Sequence, residues 1–413
     1  MRIPLERATG PGGMAVLLLR RPGFAERLAV LGTDYGSTDL VLPSGKRTPP
    51  GVAHFLEHVL FETPKGNASD LFSARGAYSN AFTDYGTTAY LFSAPDRWDE
   101  NLRLLLGFVL HPPFAPDKVE KERGIILQEV RMYLDSPGSR LSENLHQILL
   151  KRHPARLDIA GTVSSVKAIS PADLRACHNA YYHPSNLCLV AVGDLRMKDL
   201  LRAVRDSVPT RRGSRPRHVL PSEPLRPAGR RISRRMEVSQ PQFLMGFKDP
   251  APAASGLPLL ERRIAAGLCL ALLFDRSADL HQELYESGLI DEEFAAGYLA
   301  ERGFAYAAVG GQTRDPQKLE ARILEGIAQA RRQGFRREDL ERARRKALGS
   351  WIRVLDAPQA LASAALAAHF QQVALEDYAE RLRACSMAEV EALRDRILDP
   401  GQLAVSVILP KGR

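Results

Sequence analysis

The sequence predicts an α+β protein of two similar domains, each a mostly antiparallel sheet flanked by helices, related by duplication. Three observations predict it. The 413 residues are too many for one compact core. Strand-like and helix-like segments alternate through both halves. Both halves also close on the same kind of strand, HPSNLCLVAVG at 183–193 and DPGQLAVSVIL at 399–409.

In the first half, Met14 to Leu19 and Arg27 to Tyr35 read as strands, rich in Val and Leu and bounded by Gly and Pro. A helix is expected from Thr48, with Thr48 as its N-cap and Pro49 in its first turn. A strand at Thr87 to Ser93 precedes helices at Arg97 to Leu110 and Asp117 to Leu134, and the half closes on Asn186 to Asp194. Pro209 to Arg231 is rich in Pro, Arg and Gly and reads as a connector, giving domains at 1–208 and 232–413 with a linker at 209–231. The second half repeats the plan. A strand at Gln242 to Phe247 leads to helices at Leu259 to Leu273, Pro316 to Gln333 and Arg337 to Ala357, then to the strand Gln402 to Leu409.

Composition excludes several classes. Hydrophobic residues make up 45% and charged residues 25%, the balance of a globular protein, and no apolar run is long enough to span a bilayer. The N-terminal stretch lacks the pattern of a signal peptide. Cys177, Cys188, Cys269 and Cys385 are scattered without CxxC spacing, as expected of buried thiols in a reducing cytoplasm. The formal net charge is +9, but the excess is spread along the chain apart from the cluster Arg211 to Arg217. No nucleic-acid-binding motif accompanies it, so the cluster reads as solvated linker.

The chemistry concentrates in Thr48 to Phe61. Val52, Phe55, Leu56, Val59 and Leu60 form the apolar stripe of an amphipathic helix. His54, Glu57 and His58 fall on another face, with the two imidazoles about 40° apart around the axis and one turn removed. Two imidazoles so placed can bind one metal ion, and H-x-x-E-H is the inverted form of the commoner H-E-x-x-H zinc helix. The Glu beside a ligand His can act as general base toward an activated water. A catalytic zinc needs a third protein ligand, and the helix at 117–134 offers Glu122 and Glu129. Two turns separate them, about 10.5 Å along the axis, too far for both to bind one ion. Glu129 sits in the apolar stretch Ile125 to Val130, where an unpaired carboxylate is costly. Glu122 sits among charges and suits accepting the other imidazole N–H of a ligand His.

The ordered segments HFLEH, LFETPKG, GAYSNAFTDYGTTAYLF, VEKERGIILQEV and YYHPSNLCLVAVGD together resemble the pitrilysin/insulinase family of zinc peptidases. The likeness is to the short two-domain bacterial type, itself similar to mitochondrial processing peptidase. The resemblance implies a Zn2+ cofactor held by His54, His58 and Glu129, Glu57 as general base and Glu122 as supporting carboxylate. It implies a catalytic first domain and a homologous, non-catalytic second one. It further implies a zinc metalloendopeptidase acting on extended peptides or unfolded segments in a chamber formed with a second subunit. Asn80, Ala81 and Phe82 would lie on an edge strand that binds substrate backbone by β-augmentation, with Tyr90 helping to order the site. The 71 positions from His58 to Glu129 are few for the family, and the shortening is expected in a loop around Asn67 to Ser73.

The resemblance also bears on partners. Family members that work alone or as identical pairs carry an Arg and a Tyr in the second half, where this chain has Tyr285 and Asp291. A heterodimer with a homologous subunit supplying that pair is therefore expected, a homodimer being the alternative, with no nucleic acid or membrane partner. The rival function is a catalytically inactive scaffold subunit of the same fold. Retention of every zinc residue speaks against it.

Overall fold

Runs of Val, Leu and Ala bounded by Gly and Pro form the central strands of two large sheets, in a computed structural model that describes residues 4–210, 213–253 and 255–411. The first sheet comprises β1 (Leu5–Thr9), β2 (Ala15–Arg20), β3 (Arg27–Thr33), β4 (Tyr78–Thr83), β5 (Thr88–Ala94) and β6 (Leu187–Gly193). The second comprises β7 (Arg231–Met236), β8 (Gln242–Lys248), β9 (Ala295–Glu301), β10 (Phe304–Gln312) and β11 (Leu403–Pro410). The helices that matter below are α1 (Val52–Leu60), α2 (Trp98–Leu110), α3 (Pro116–Asp135), α4 (Pro137–Leu149), α5 (Gly256–Phe274), α6 (Pro316–Gln333), α7 (Arg337–Asp356) and α8 (Pro358–Phe370). None is both long and apolar enough to cross a membrane.

The sheets repeat one topology. The first runs β1-β2-β6-β3-β5-β4 and the second β7-β11-β8-β10-β9. Without β1, the two orders match strand for strand. Each contains one parallel pair, β2 with β6 and β7 with β11, and the other pairings are antiparallel. Close packing repeats as well. Gly32 on β3 pairs with Cys188, and a Cβ there would come within 2.6 Å of Leu366 on α8. Gly246 on β8 pairs with Ala404, and a Cβ there would meet Leu145 on α4 at 3.0 Å. In each sheet a helix presses a leucine against the same central strand, at the one position whose side chain has been removed.

Those two helices have changed places. α4, from the first half of the chain, packs on β8 and β11, while α8, from the second half, packs on β6 and β3. The compact units are accordingly discontinuous. One holds residues up to Arg131, Asp158–Leu220 and Arg353–Glu376, and the other holds Met132–Leu157, Pro221–Ile352 and residues from Asp377 onward. The units thus depart from the contiguous division at 208 and 231, because each sheet is covered by a helix encoded in the other half.

The connector differs from a solvated linker. Arg211 and Arg212 lie outside the described residues, but the stretch that follows is fastened down. His218 places Nδ1 2.7 Å from Asp39 Oδ1 and Nε2 3.3 Å from Asp34 Oδ2, and it stacks on Tyr181. Farther on, the Glu223 carboxylate accepts the backbone N–H groups of Lys151, Arg152 and His153 and the Lys248 ammonium, all within 2.8 Å. Burial opposes both charged states. The two aspartates nevertheless raise His218 to about 9, and the four donors lower Glu223 to about 2.

His218 is therefore expected to make stability pH-dependent. Its folded pKa lies above the value near 6.5 of an unfolded chain, so its contribution is fully present below about pH 6.5 and is lost as pH rises through about 9. His218→Gln should cost on the order of 1–3 kcal/mol at pH 6, and the cost should shrink by pH 10. Urea unfolding of both proteins across that range checks it. A difference that is flat with pH would remove the charge from the account.

Candidate metal centre

The H-x-x-E-H helix begins later than the sequence suggests. Thr48 is not its N-cap. Residues preceding proline avoid helical angles, and Pro49 and Pro50 follow in succession. Thr48 instead donates its hydroxyl to Leu40 O, and α1 starts at Val52 after Gly51, whose φ of +89° is left-handed. Val52, Phe55, Leu56, Val59 and Leu60 are buried, which orients the opposite face of α1 and its three functional side chains.

α3 brings the carboxylates. Glu129 Oε2 lies 3.7 Å from His54 Nε2 and 3.5 Å from His58 Nε2, and one donor atom from each of the three residues falls within 4.8 Å of the other two. Zinc bonds of about 2.0–2.1 Å in tetrahedral array would separate neighbouring donors by about 3.4 Å. Two imidazole nitrogens and one carboxylate oxygen, so spaced, fit zinc in both chemistry and separation. Glu122 occupies the other side of His58, with Oε2 3.2 Å from Nδ1, and is 5% exposed. The two glutamates thus approach different nitrogens of His58, Glu122 at Nδ1 and Glu129 at Nε2. His54 has no corresponding partner on its other nitrogen: Nδ1 is buried without a hydrogen bond among the described residues.

The electrostatics favour a cation. Burial, with neighbouring His58, pushes His54 down to about 4, so it is a neutral donor. Burial also opposes charge on His58, but Glu122 and Glu129 outweigh it and raise the ring to about 9. The positive charge that two carboxylates draw onto His58 is the kind a divalent ion would supply in its stead. Glu57 stands on the same face, its carboxyl raised by burial against an opposing hydrogen bond from Thr83.

Among the described residues β4 forms one edge of its sheet and pairs with β5 alone. Asn80 and Phe82 lie exposed on one face of β4 together with Tyr78, which is 56% exposed, while Ser79, Ala81 and Thr83 alternate onto the other. Asn80 Oδ1 accepts the Ala81 N–H at 2.9 Å. Tyr90, grouped with these residues in the sequence, does not face a peptide. It is 1% exposed on β5, and its hydroxyl meets that of buried Tyr182 at 2.9 Å, so it supports the site from beneath.

Several residues escaped the sequence reading. Thr83 donates to Glu57 Oε2 at 2.6 Å. Glu62, 1% exposed just past α1, binds Lys118 at 3.0 Å, Lys121 at 2.7 Å and the Asn67 amide at 3.3 Å, tying the end of α1 to the start of α3. Those donors overcome burial and lower its carboxyl to about 2. An acid in the apolar LFE stretch, with two lysines one turn apart on the expected helix at 117–134, is the available signal. The presumed loop at Asn67 to Ser73 is also a helix, Ala68–Ser73, capped by Asn67 accepting from the Ser69 N–H.

Comparison with known proteins bears on this geometry. The family profile described as "Insulinase (Peptidase family M16)" matches residues 44–163, and the one described as "Peptidase M16 inactive domain" matches residues 168–347. The chain is 35% identical to the "uncharacterized zinc protease YmfH" of Bacillus subtilis (strain 168), over 97% of this chain and 95% of that protein. A crystal structure from Alicyclobacillus acidocaldarius, described as an M16-like peptidase, superposes with a TM-score of 0.94 at 32% identity and full coverage of both chains. A protease from Helicobacter pylori shares the fold, with a TM-score of 0.86 at 17% identity over 99% of this chain and 100% of that one. Profile matches to both halves and a near-full-length relative above 30% identity lead to one conclusion: the chain belongs to the insulinase family of zinc peptidases, peptidase family M16.

Proposed function

We propose that the chain is a zinc-dependent endopeptidase that hydrolyses extended peptides or unfolded segments in a chamber completed by a second subunit. The observation that carries this reading is the Glu57 carboxylate beside the His54, His58 and Glu129 donor set, at the end of an open strand edge. His54 Nε2, His58 Nε2 and Glu129 Oε2 would hold the metal, and Glu122 fixes the His58 ring through Nδ1. A bound zinc ion supplies Lewis acidity, acidifying water and polarising a carbonyl. Glu57 takes the proton from the attacking water and returns it to the leaving amine nitrogen. A peptide adds to β4 as a further strand, so main-chain hydrogen bonds hold it with little sequence preference. The Asn80 amide N–H2 is free to donate to that backbone, and Ala81 and Phe82 complete the docking strand. Four buried, unbridged cysteines support a cytoplasmic setting.

The second-half profile described as inactive covers residues 168–347, whereas the metal donors all precede it, so it does not favour the scaffold reading for the whole chain. The partner we propose is a homologous subunit that supplies the Arg and Tyr absent at Tyr285 and Asp291. An Asp near a developing oxyanion would repel the charge that donors should stabilise.

The purified chain should carry about one zinc per molecule and cleave a mixed peptide library poorly alone and well with the homologous subunit added. Absence of stoichiometric zinc would defeat the peptidase reading. Efficient cleavage by the isolated monomer or homodimer would defeat only the proposed partner.

A further inference from the structure

We infer that Thr83 is the positioning residue of the general base, so that the strand receiving the peptide also aims Glu57. This rests on the reading of Glu57 as base given above. Glu57 has three rotatable side-chain bonds, and packing of α1 fixes its backbone without fixing its carboxylate. Among the described residues, Thr83 is its one hydrogen-bond partner, with Oγ1 donating to Oε2 at 2.6 Å.

The direction of that bond follows from proton counting. Each threonine hydroxyl carries one proton. The Thr88 hydroxyl donates to Tyr35 O at 3.0 Å in a fully buried setting. Thr88 thus has no proton for Thr83 and can compete only as an acceptor, at 3.4 Å between the two Oγ1 atoms. The single Thr83 proton goes to the carboxylate, the nearer acceptor at 2.6 Å and the charged one. Its rotamer is held by a β-branched Cβ at the last position of β4, paired in register with Thr88 on β5.

The placement has a mechanical consequence. Side chains alternate along β4, so Thr83 faces Glu57 only in the observed register, and a one-residue slip would turn its hydroxyl to the other face. A peptide pairing with the free edge of β4 stiffens the strand that orients the base. Peptide docking and base alignment are then properties of one element.

The test compares the full-length zinc-loaded wild type, with its partner where needed, against Thr83→Val, Thr83→Ser and Glu57→Gln on one internally quenched peptide that the wild type cleaves. Thr83→Val keeps shape and strand propensity but removes the proton. A hydrogen bond to a charged group of this kind corresponds to about 10–100-fold, so kcat should fall by that factor. KM should stay within about threefold, zinc content should be unchanged, and Thr83→Ser should restore kcat. Independently of turnover, a crystal structure of Thr83→Val should show the Glu57 carboxylate turned from its present orientation. Wild-type kcat in Thr83→Val beside an inactive Glu57→Gln would overturn the inference alone. So would equal losses in the Val and Ser variants, or an unmoved Glu57. Full activity in Glu57→Gln would instead overturn the base assignment beneath it.

Discussion

Glu57→Gln is expected to reduce peptide cleavage by about 10²–10⁴-fold while zinc stays bound, the loss typical of removing a positioned general base. The substitution is close to isosteric. The amide oxygen can still accept from Thr83 Oγ1, so the side chain should keep its place beside the donor set on α1. What disappears is the capacity to take a proton, since an amide is not a base near neutral pH. His54, His58 and Glu129 are untouched, and so is the Glu122 contact to His58. Zinc content by mass spectrometry and thermal melting should match the wild type. Near-wild-type turnover in a zinc-replete variant would mean that another group handles the proton.

Such a clean substitution is available because the central motif was legible from local spacing. His54, Glu57 and His58 share a helix face by the 3.6-residue period, and that period needs nothing from elsewhere in the chain. Preferring Glu129 to Glu122 from the apolar run Ile125 to Val130 rests on burial that the structure does not show: Ile125 is 43% exposed, and Glu122, 5% exposed, is the more buried carboxylate. What singles out Glu129 is its approach to both imidazoles, which the sequence does not reveal. Local spacing failed where tertiary structure sets the contact. Thr83 looks like any strand threonine until β4 is laid beside α1, and Glu62 acquires meaning only when α3 supplies Lys118 and Lys121.

The fold shows the same division. Strands of Val and Leu bounded by Gly and Pro were readable, and the twin closing strands pointed to a duplicated sheet, which the two strand orders repeat. Neither α4 nor α8 is among the helices expected from the sequence. α4 opens with Pro-Gly-Ser, which resembles a turn, and α8 is an alanine-rich segment with no polar face to reveal a period. These are the helices exchanged between the halves, so a division drawn from sequence alone is contiguous where the compact units are not. The connector misled for a related reason. Its charge and proline content are those of a solvated segment, but His218 and Glu223 meet partners distant in sequence.

The two glutamates of α3 offer the sharpest test of the centre itself. Glu129→Ala is expected to weaken zinc binding by more than about 100-fold, and Glu122→Ala by roughly 10–100-fold, the range for losing a residue that only orients a ligand. The geometry sets this order. Glu129 Oε2 approaches both Nε2 atoms, at 3.7 and 3.5 Å, and is the third donor of the set. Its removal leaves two imidazoles, too few for a zinc site that also keeps a position for water. Glu122 approaches only Nδ1 of His58, on the far side of the ring, and part of its charge is offset by Lys121 Nζ at 3.8 Å. Without Glu122, the His58 ring loses its anchor but keeps its nitrogen lone pair, and the other two donors are unchanged. After dialysis against metal-free buffer, the Glu129 variant should emerge without zinc and the Glu122 variant should retain a measurable fraction. Titration with a competing chelator gives the two affinities directly. Equal weakening in the two variants would mean that both carboxylates, or neither, bind the metal.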